Sequence, residues 1–435
     1  MRKVYIVVII FVCCLVCRVQ GQDSILSLAD CISLALKNNP SLKRGELQVN
    51  RADLRYKQAQ YDRLPALSGN ISHDLTQGRA IDPTTNQYID NNNSSGRQSL
   101  NMNVPLFNGF AILHNIRMQS NAKDAGKLEY EGLSNDLKLD VIEAYIKLLT
   151  AQDMLKQIQG QVEVTKEQLH RAEVMNREGN IAPGDYYDLK GQYSAELNSI
   201  EQTKQALYTA RLGLAGLLNM DPSKLKAVVK LDIPSAYPVV SAENLFQQSL
   251  SVLPQFKALD WRKKQMEEGV KLAKSDYFPS LSLSGGLSTN YSREGGSFSS
   301  QYKGNLYKGI GLNLSIPIFN RLATRTQVRM AKVDLEEAGF NEEIMRNDLQ
   351  VKTAQAVFDL QMTQEQVRNL KDQDVNFMEA FRIATVHFEA GNSNSVLYLT
   401  AKNKMDQVKS QLIIKQYELL MQKYINDYYA GSLEL

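Results

Sequence analysis

The sequence predicts a mainly α chain with a minority of β, built from long antiparallel coiled-coil helical hairpins and four transmembrane β-strands. Three observations predict it. The chain is written twice, with an offset of about 212 residues. Long proline-free stretches carry apolar residues at alternating steps of 3 and 4, the seam of a coiled coil. Between those stretches, short segments alternate apolar and small polar residues with period 2.

The prolines reveal the duplication. Pro40 to Pro65 spans 25 residues, and so does Pro254 to Pro279. Leu64-Pro65-Ala66-Leu67-Ser68 matches Phe278-Pro279-Ser280-Leu281-Ser282, and Val104-Pro105-Leu106-Phe107-Asn108 matches Ile316-Pro317-Ile318-Phe319-Asn320. Glu178-Gly179-Asn180 matches Ala390-Gly391-Asn392, each glycine 74 residues after its Pro-x-Phe proline. A period this long is a duplicated half rather than a solenoid repeat. The halves cover residues 22–220 and 241–435, and the proline-bearing stretch 221–240 between them reads as a linker.

Residues 1–21 read as a signal peptide. Met1-Arg2-Lys3 is basic, Val4 to Cys17 is a run of 14 largely apolar residues, and cleavage is expected after Gly21. The run is short for a bilayer span, which takes about 20 residues. Cysteines at its end raise a lipoprotein reading, but Val16 and Cys13 before them suit that cleavage poorly.

In each half the period-2 segments predict two strands, about 66–76 and 99–107, then about 280–292 and 306–318. Leu100, Met102, Val104 and Leu106 alternate with Ser99, Asn101 and Asn103; Ile310, Leu312, Leu314, Ile316 and Ile318 alternate with Gly311, Asn313 and Ser315. Such segments, apolar outward and polar inward, are what an outer-membrane barrel strand requires. A soluble hairpin laid over a core would show the same alternation, but the rest of the chain offers no globular core for it to cover. Pro65, Pro105, Pro279 and Pro317 are expected where helix meets strand, since proline forbids a continued helix and extends the residue before it. Ordinary helix breakers would look alike locally, and it is the duplication that makes these four junctions.

Four strands cannot close a barrel, and open sheet edges are excluded from lipid because their peptide groups find no partner there. Several chains must therefore share one. Two would give eight strands and an interior filled by side chains; three would give twelve. The alternating polar residues are small, which favours an open lumen and three chains.

The first long helix is expected from Ala111 to Glu178, about 68 residues and roughly 100 Å. Its seam runs Val141, Ala144, Leu148, Ala151 and onward to Ala172, and the register continues in the second half from Thr353 to Ala384. There Asp374 stands at a seam position, either facing a lumen or tolerated at a wet site. Gly179 ends the helix, and Pro183 with Asp185 starts a returning one. Each half thus forms a hairpin, with tips near Gly179 and Gly391.

Composition removes whole classes of function. Fifty Lys and Arg face 47 Asp and Glu, and Arg2, Lys3 and Arg18 account for the whole excess, so the rest is balanced. A nucleic-acid binder needs a basic surface. Outside the first 21 residues only Cys31 remains, on an apolar face with Leu28, Ile32 and Ala35, where it reads as a small core residue rather than a reactive thiol. His73, His114, His170 and His387 lie far apart with no ligand spacing, and no phosphate-binding loop, hydrolase elbow or metalloprotease motif occurs. No enzyme activity and no cofactor are expected.

In this order and spacing the chain resembles the TolC-like outer-membrane efflux proteins. The resemblance covers essentially residues 25–432 and rests on the duplication, on Leu28-x-x-Cys31-Ile32-x-x-Ala35-Leu36-x-x-Asn39-Pro40, on both Pro-x-Phe-Asn junctions and on the two tip sequences. It implies a homotrimer with a shared twelve-stranded β-barrel in outer-membrane lipid and a twelve-helix α-barrel in the periplasm of a Gram-negative cell. It implies an exit duct fed by an inner-membrane transporter of RND or ABC type through a periplasmic adaptor. The tip residues Arg177, Gly179, Asn180, Gly391 and Asn392 would meet the adaptor. Acidic and polar residues just past the tips would line the periplasmic aperture: Asp185 and Asp188 here, with Leu397 and Thr400 at the matching second-half positions, where the family often has an acid. Paired with a basic residue such as Arg177, the aspartates would hold the aperture shut; alternatively Asp185 only caps its own helix. The rival readings are a periplasmic adaptor, which is not duplicated along its full length, and a soluble coiled-coil scaffold.

Overall fold

The computed structural model describes residues 26–433 except 83, 85, 91, 226 and 235. The expected signal peptide, residues 1–21, lies outside the described residues. The first helices among the described residues are α1 (Leu28–Asn38) and α2 (Pro40–Tyr61). Strands β1 (Ala66–Thr76), β2 (Arg79–Ile81), β3 (Tyr88–Asp90) and β4 (Asn93–Asn108) follow. The long helix α3 (Ala111–Arg177) and its return α4 (Pro183–Leu218) complete the first half. The second half runs α5 (Ala242–Val252), α6 (Pro254–Ser275), β5 (Ser280–Ser292), a short helix α7 (Phe298–Gly304), β6 (Tyr307–Ser315), α8 (Ala323–Glu389) and α9 (Ser395–Ala430). Helices of 11, 22, 67 and 36 residues occur twice in the same order.

Proline sets the first break in each half. Asn39 and Leu253 are extended, with ψ of 123° and 125°, because the ring of Pro40 or Pro254 crowds the residue before it. Each proline then begins the next helix, where its missing N–H is no loss.

The chain divides into two compact units that cut across the repeats: one comprises the residues up to Arg44, Gly132–Leu253 and Leu349 onward, the other Gly45–Glu131 and Pro254–Asp348. The first is helical. Its seam residues Val141, Leu148, Ala172, Ala356, Leu360 and Val367 are buried in the register read from the sequence. Cys31 is fully enclosed in α1, and burial pushes its thiol up to about 12, so it stays protonated. The short helices dock on the ends of the returning ones: the Asn39 side-chain amide donates to the Leu217 carbonyl (3.0 Å), and Ser249 Oγ to that of Tyr429 (2.8 Å). The linker is pinned as well. Tyr145 donates its hydroxyl to the Val229 carbonyl (2.7 Å), Lys230 pairs with Asp153 (2.8 Å), and Tyr417 donates to the same carboxylate (2.8 Å).

The second unit holds an antiparallel sheet in the order β1-β4-β5-β6. Its register aligns Leu67, Met102, Gly285 and Ile310 in one row and Ser68, Asn101, Gly286 and Gly309 in the next. Directly paired residues share a face, so the four strands agree on one apolar and one small polar face. No second layer covers the edge strands. Every residue of β1 is exposed, with Ile71 at 84% and Ile310 of β6 at 78%.

Several boundaries differ from the sequence reading. The strand expected over 99–107 begins at Asn93 and ends at Asn108. Pro65 and Pro279 directly precede β1 and β5, but Pro105 lies inside β4 rather than at a junction. Proline has no N–H for the ladder, and the pairing with β5 is irregular there, between Pro105 and Phe107. The chain leaves that strand at Gly109 and Phe110, both with positive φ. The last strand, expected over 306–318, is Tyr307–Ser315; it stops two residues short of Pro317. The connections between the two strands of each half, for which the sequence predicted no element, contain the β2–β3 hairpin and α7.

Candidate functional site at the hairpin turns

Both hairpins turn by the same device. Gly179 (φ 74°) and Gly391 (φ 72°) take the left-handed conformation that side chains disfavour. The Asn180 N–H donates to the Met175 carbonyl (2.8 Å) and the Asn392 N–H to that of His387 (2.9 Å), the six-residue bond of a Schellman motif. A Cβ at either glycine would meet nothing within 4 Å, so the backbone conformation, not crowding, demands glycine. Arg177, Asn180 and Asn392 are exposed around these turns. Arg177 pairs with Glu173 on its own helix at 3.7 Å and with neither aspartate, so the Arg177 pairing expected from the sequence is not formed within the chain.

Asp185 and Asp188 lie one turn apart on α4, yet neither caps it: Ala182 is the N-cap and no side chain bonds there. Both reach instead to the start of α9 in the other hairpin. Asp185 Oδ1 accepts the Ser395 backbone N–H at 2.8 Å, and Asp188 Oδ2 accepts the Ser395 hydroxyl at 2.8 Å. Ser395 is buried, and its N–H is one of the helix-start donors that no intrahelical partner satisfies. A carboxylate placed there is favoured by the helix dipole as well. The Asn394 side chain satisfies a second donor, the Leu397 N–H, at 3.1 Å. The capping chemistry read for Asp185 therefore exists, but it acts across the two hairpins. Leu397 and Thr400 are exposed on the first two turns of α9.

Behind this tie the hairpins share an apolar cluster of Ala172, Leu189, Phe388 and Tyr398. The Tyr398 ring stacks on Phe388 with centroids 5.1 Å apart, and burial pushes its hydroxyl pKa up. Further along, α4 and α9 enclose charge. Lys402, 0% exposed, places Nζ 2.8 Å from Glu196 Oε1 and 2.6 Å from Asp406 Oδ2. Gln192 also donates to Glu196 Oε1 (2.8 Å), while Glu196 Oε2 is buried without a partner. Burial raises the Asp406 pKa against the opposing pull of Lys402. Sequence reading passed over this triad, although Glu196, seven residues from both Leu189 and Thr203 on α4, and the i,i+4 pair Lys402–Asp406 were its signals. Asp374, the other seam acid, is half-buried with Oδ1 unpartnered.

Among the described residues no group of three or more His, Cys, Asp or Glu is placed to hold a metal ion, and no helix is long and apolar enough to cross a membrane.

Residues 31–220 and 245–423 match the model of a family described as outer membrane efflux protein. The cobalt-zinc-cadmium resistance protein CzcC of Cupriavidus metallidurans is 25% identical over 342 residues, 77% of this chain and 78% of that protein. The outer membrane protein TolC of Salmonella enteritidis is 24% identical over 417 residues, covering 91% and 80%. Among solved structures, the outer-membrane channel OprN superposes with a TM-score of 0.80 at 21% identity, covering 93% of this chain and 90% of that one. VceC of Vibrio cholerae gives 0.79 at 16% identity, covering 94% and 97%.

Proposed function

Because the chain belongs to the outer membrane efflux protein family, a family of outer-membrane channels that extend into the periplasm, we propose that three copies form the passive exit duct of a tripartite efflux or type I secretion system. The observation that carries this reading is the sheet. Its one layer has an apolar face without protein cover and two unpaired edges, β1 and β6. Lipid accepts the apolar face but not the edges, whose peptide groups need partners. Neighbouring strands all run antiparallel, so β6 of one chain meets β1 of the next in the same antiparallel sense. Three chains close twelve strands around the small polar face of Ser68, Asn101, Asn103, Ser284 and Asn313. The helices of the three chains continue as a periplasmic α-barrel.

On this reading Asp185 and Asp188 set the periplasmic aperture by tying the two hairpins of one chain together through Ser395, with Leu397 and Thr400 on the neighbouring surface. The open turns at Arg177-Glu178-Gly179-Asn180 and Gly391-Asn392 suit docking to the hairpin of a periplasmic adaptor, which delivers cargo from an inner-membrane pump of RND or ABC type. The duct does no chemistry, and energy and cargo selection belong to the pump. Native mass spectrometry of the detergent-extracted protein tests the assembly. A trimer is expected; a stable monomer or dimer would overturn the shared barrel.

A further inference from the structure

The segment leading out of β6 has a chemistry of its own. Ile318 is 93% exposed and Phe319 77%, and Leu322 beside them is exposed too. Apolar side chains this open mark contact with hydrocarbon or a partner. Arg325 and Arg329 lie one turn apart, hence on one side of the start of α8, and Arg321 stands two residues before that helix. All three are exposed, and among the described residues none makes an ion pair or a hydrogen bond through its side chain. Residues 316–333 contain no Asp or Glu.

The backbone gives an independent sign. Arg321 has φ 56° and Leu322 φ 63°; at the corresponding places of the first repeat stand Gly109 (φ 64°) and Phe110 (φ 69°). Left-handed backbone suits glycine, and arginine there is strained. The first repeat needs its glycine on a second count, because a Cβ on Gly109 would clash with the Ser275 carbonyl oxygen. The second repeat instead keeps a long cation at a position whose backbone favours glycine. Leu113 stands in the first repeat where Arg325 stands in the second, so the complete ladder belongs to one repeat.

Resting on the barrel reading, we propose that Arg321, Arg325 and Arg329, together with Ile318, Phe319 and Leu322, bind the phosphate headgroup of an anionic phospholipid in the periplasmic leaflet of the outer membrane. Guanidinium groups match phosphate oxygens bidentately, and the adjoining apolar side chains meet the acyl chains. The site continues the apolar row of β6, so it fixes the depth at which strand gives way to helix.

Native mass spectrometry of the full-length protein in neutral detergent tests this, with phosphatidylglycerol, phosphatidylcholine and inorganic phosphate added separately. Wild type is expected to retain phosphatidylglycerol over phosphatidylcholine, with millimolar phosphate failing to displace it. Arg321→Gln, Arg325→Gln and Arg329→Gln combined should weaken phosphatidylglycerol binding on the order of a hundredfold while keeping the same oligomer. Arg321→Gly alone should weaken it in part and raise the melting temperature, because it relieves the left-handed strain. A residue kept only for structure would not show both changes. Equal retention of both lipids, or displacement by free phosphate, would overturn the lipid site and leave the barrel standing. Loss of the trimer in the triple variant would overturn it in favour of ion pairs to a neighbouring copy. A wild-type protein that is monomeric and holds no lipid of either kind would instead sink the barrel reading beneath it.

Discussion

Replacing Lys402 with Met removes the only cation from an enclosed group of three charges. Lys402 has no solvent access, and its Nζ bonds both Glu196 (2.8 Å) and Asp406 (2.6 Å). Taking one partner from a buried ion pair costs about 3–5 kcal/mol, because the remaining charge keeps its desolvation cost without its compensation. The side chains of Glu196 and Asp406 retain 10% and 13% of their accessibility, so water can relieve part of that cost and the lower end, about 3 kcal/mol, is expected. Hydrogen exchange of residues 186–200 and 395–410 reads this as local opening, and protection should fall by roughly two orders of magnitude. The pH dependence has a definite sign. Burial raises the Asp406 pKa above its unfolded value, so the folded chain holds that proton more tightly than the unfolded chain. The stability gained by uptake is fully present below the unfolded carboxylate value and is lost as pH rises toward the raised one. Loss of Lys402 removes the opposing pull, so the deficit of the variant should shrink on acidification. Asp406→Asn, which leaves a one-to-one pair of Lys402 with Glu196, should be neutral or slightly protective near pH 7. Wild-type protection in Lys402→Met, or a deficit that deepens in acid, would refute this account of the triad.

Further outcomes follow from other parts of the molecule. Asp185→Ala with Asp188→Ala removes both acceptors of Ser395 and should raise single-channel conductance in planar bilayers; wild-type conductance at low salt, where charge is least screened, would remove the aspartates from the aperture. Leu312→Arg, on the apolar face, should impair membrane insertion by about 2–4 kcal/mol if it lies near the bilayer midplane, whereas Asn313→Arg should insert normally. Burial alone would raise the Glu268 carboxyl, but Lys271 and His114, both bonded to it, outweigh that and hold its pKa below the ordinary value. Its stabilisation is therefore present above the ordinary carboxylate range and lost as pH falls through the depressed value. Glu268→Gln should flatten the acid limb of thermal unfolding, and an unchanged acid limb would show that the pair does not stabilise the fold.

The sequence disclosed periodicity well and partnership poorly. A step of 3 and 4 says which side of a helix is buried: Val141, Leu148, Val162, Thr165 and Ala172 are buried in that register, and Ala144, Ala151, Leu155, Ile158 and Leu169 are half-buried. It does not say which hairpin lies opposite, so Asp185 could be read as a cap for its own helix but not as one for α9. Proline marks where a helix cannot continue, which located the starts of β1 and β5. It does not mark where a strand must end, because an irregular pairing absorbed Pro105 inside β4. The β2–β3 hairpin and α7 were hidden in polar connections whose composition specifies neither. The linker's attachment through Tyr145, Lys230 and Tyr417 depends on residues far apart in the chain and left no local trace.

The claim on which the rest depends is that β1 of one chain pairs with β6 of the next. It is tested most directly by oxidative crosslinking in native outer membranes, with one cysteine at Ile71 in β1 and a second moved residue by residue along β6 from Tyr307 to Ser315. The account predicts that a few β6 positions, spaced by two, give covalent ladders ending at a closed trimer. Disulfides formed only within one chain, or ladders that end at a dimer or run on past a trimer, would contradict it.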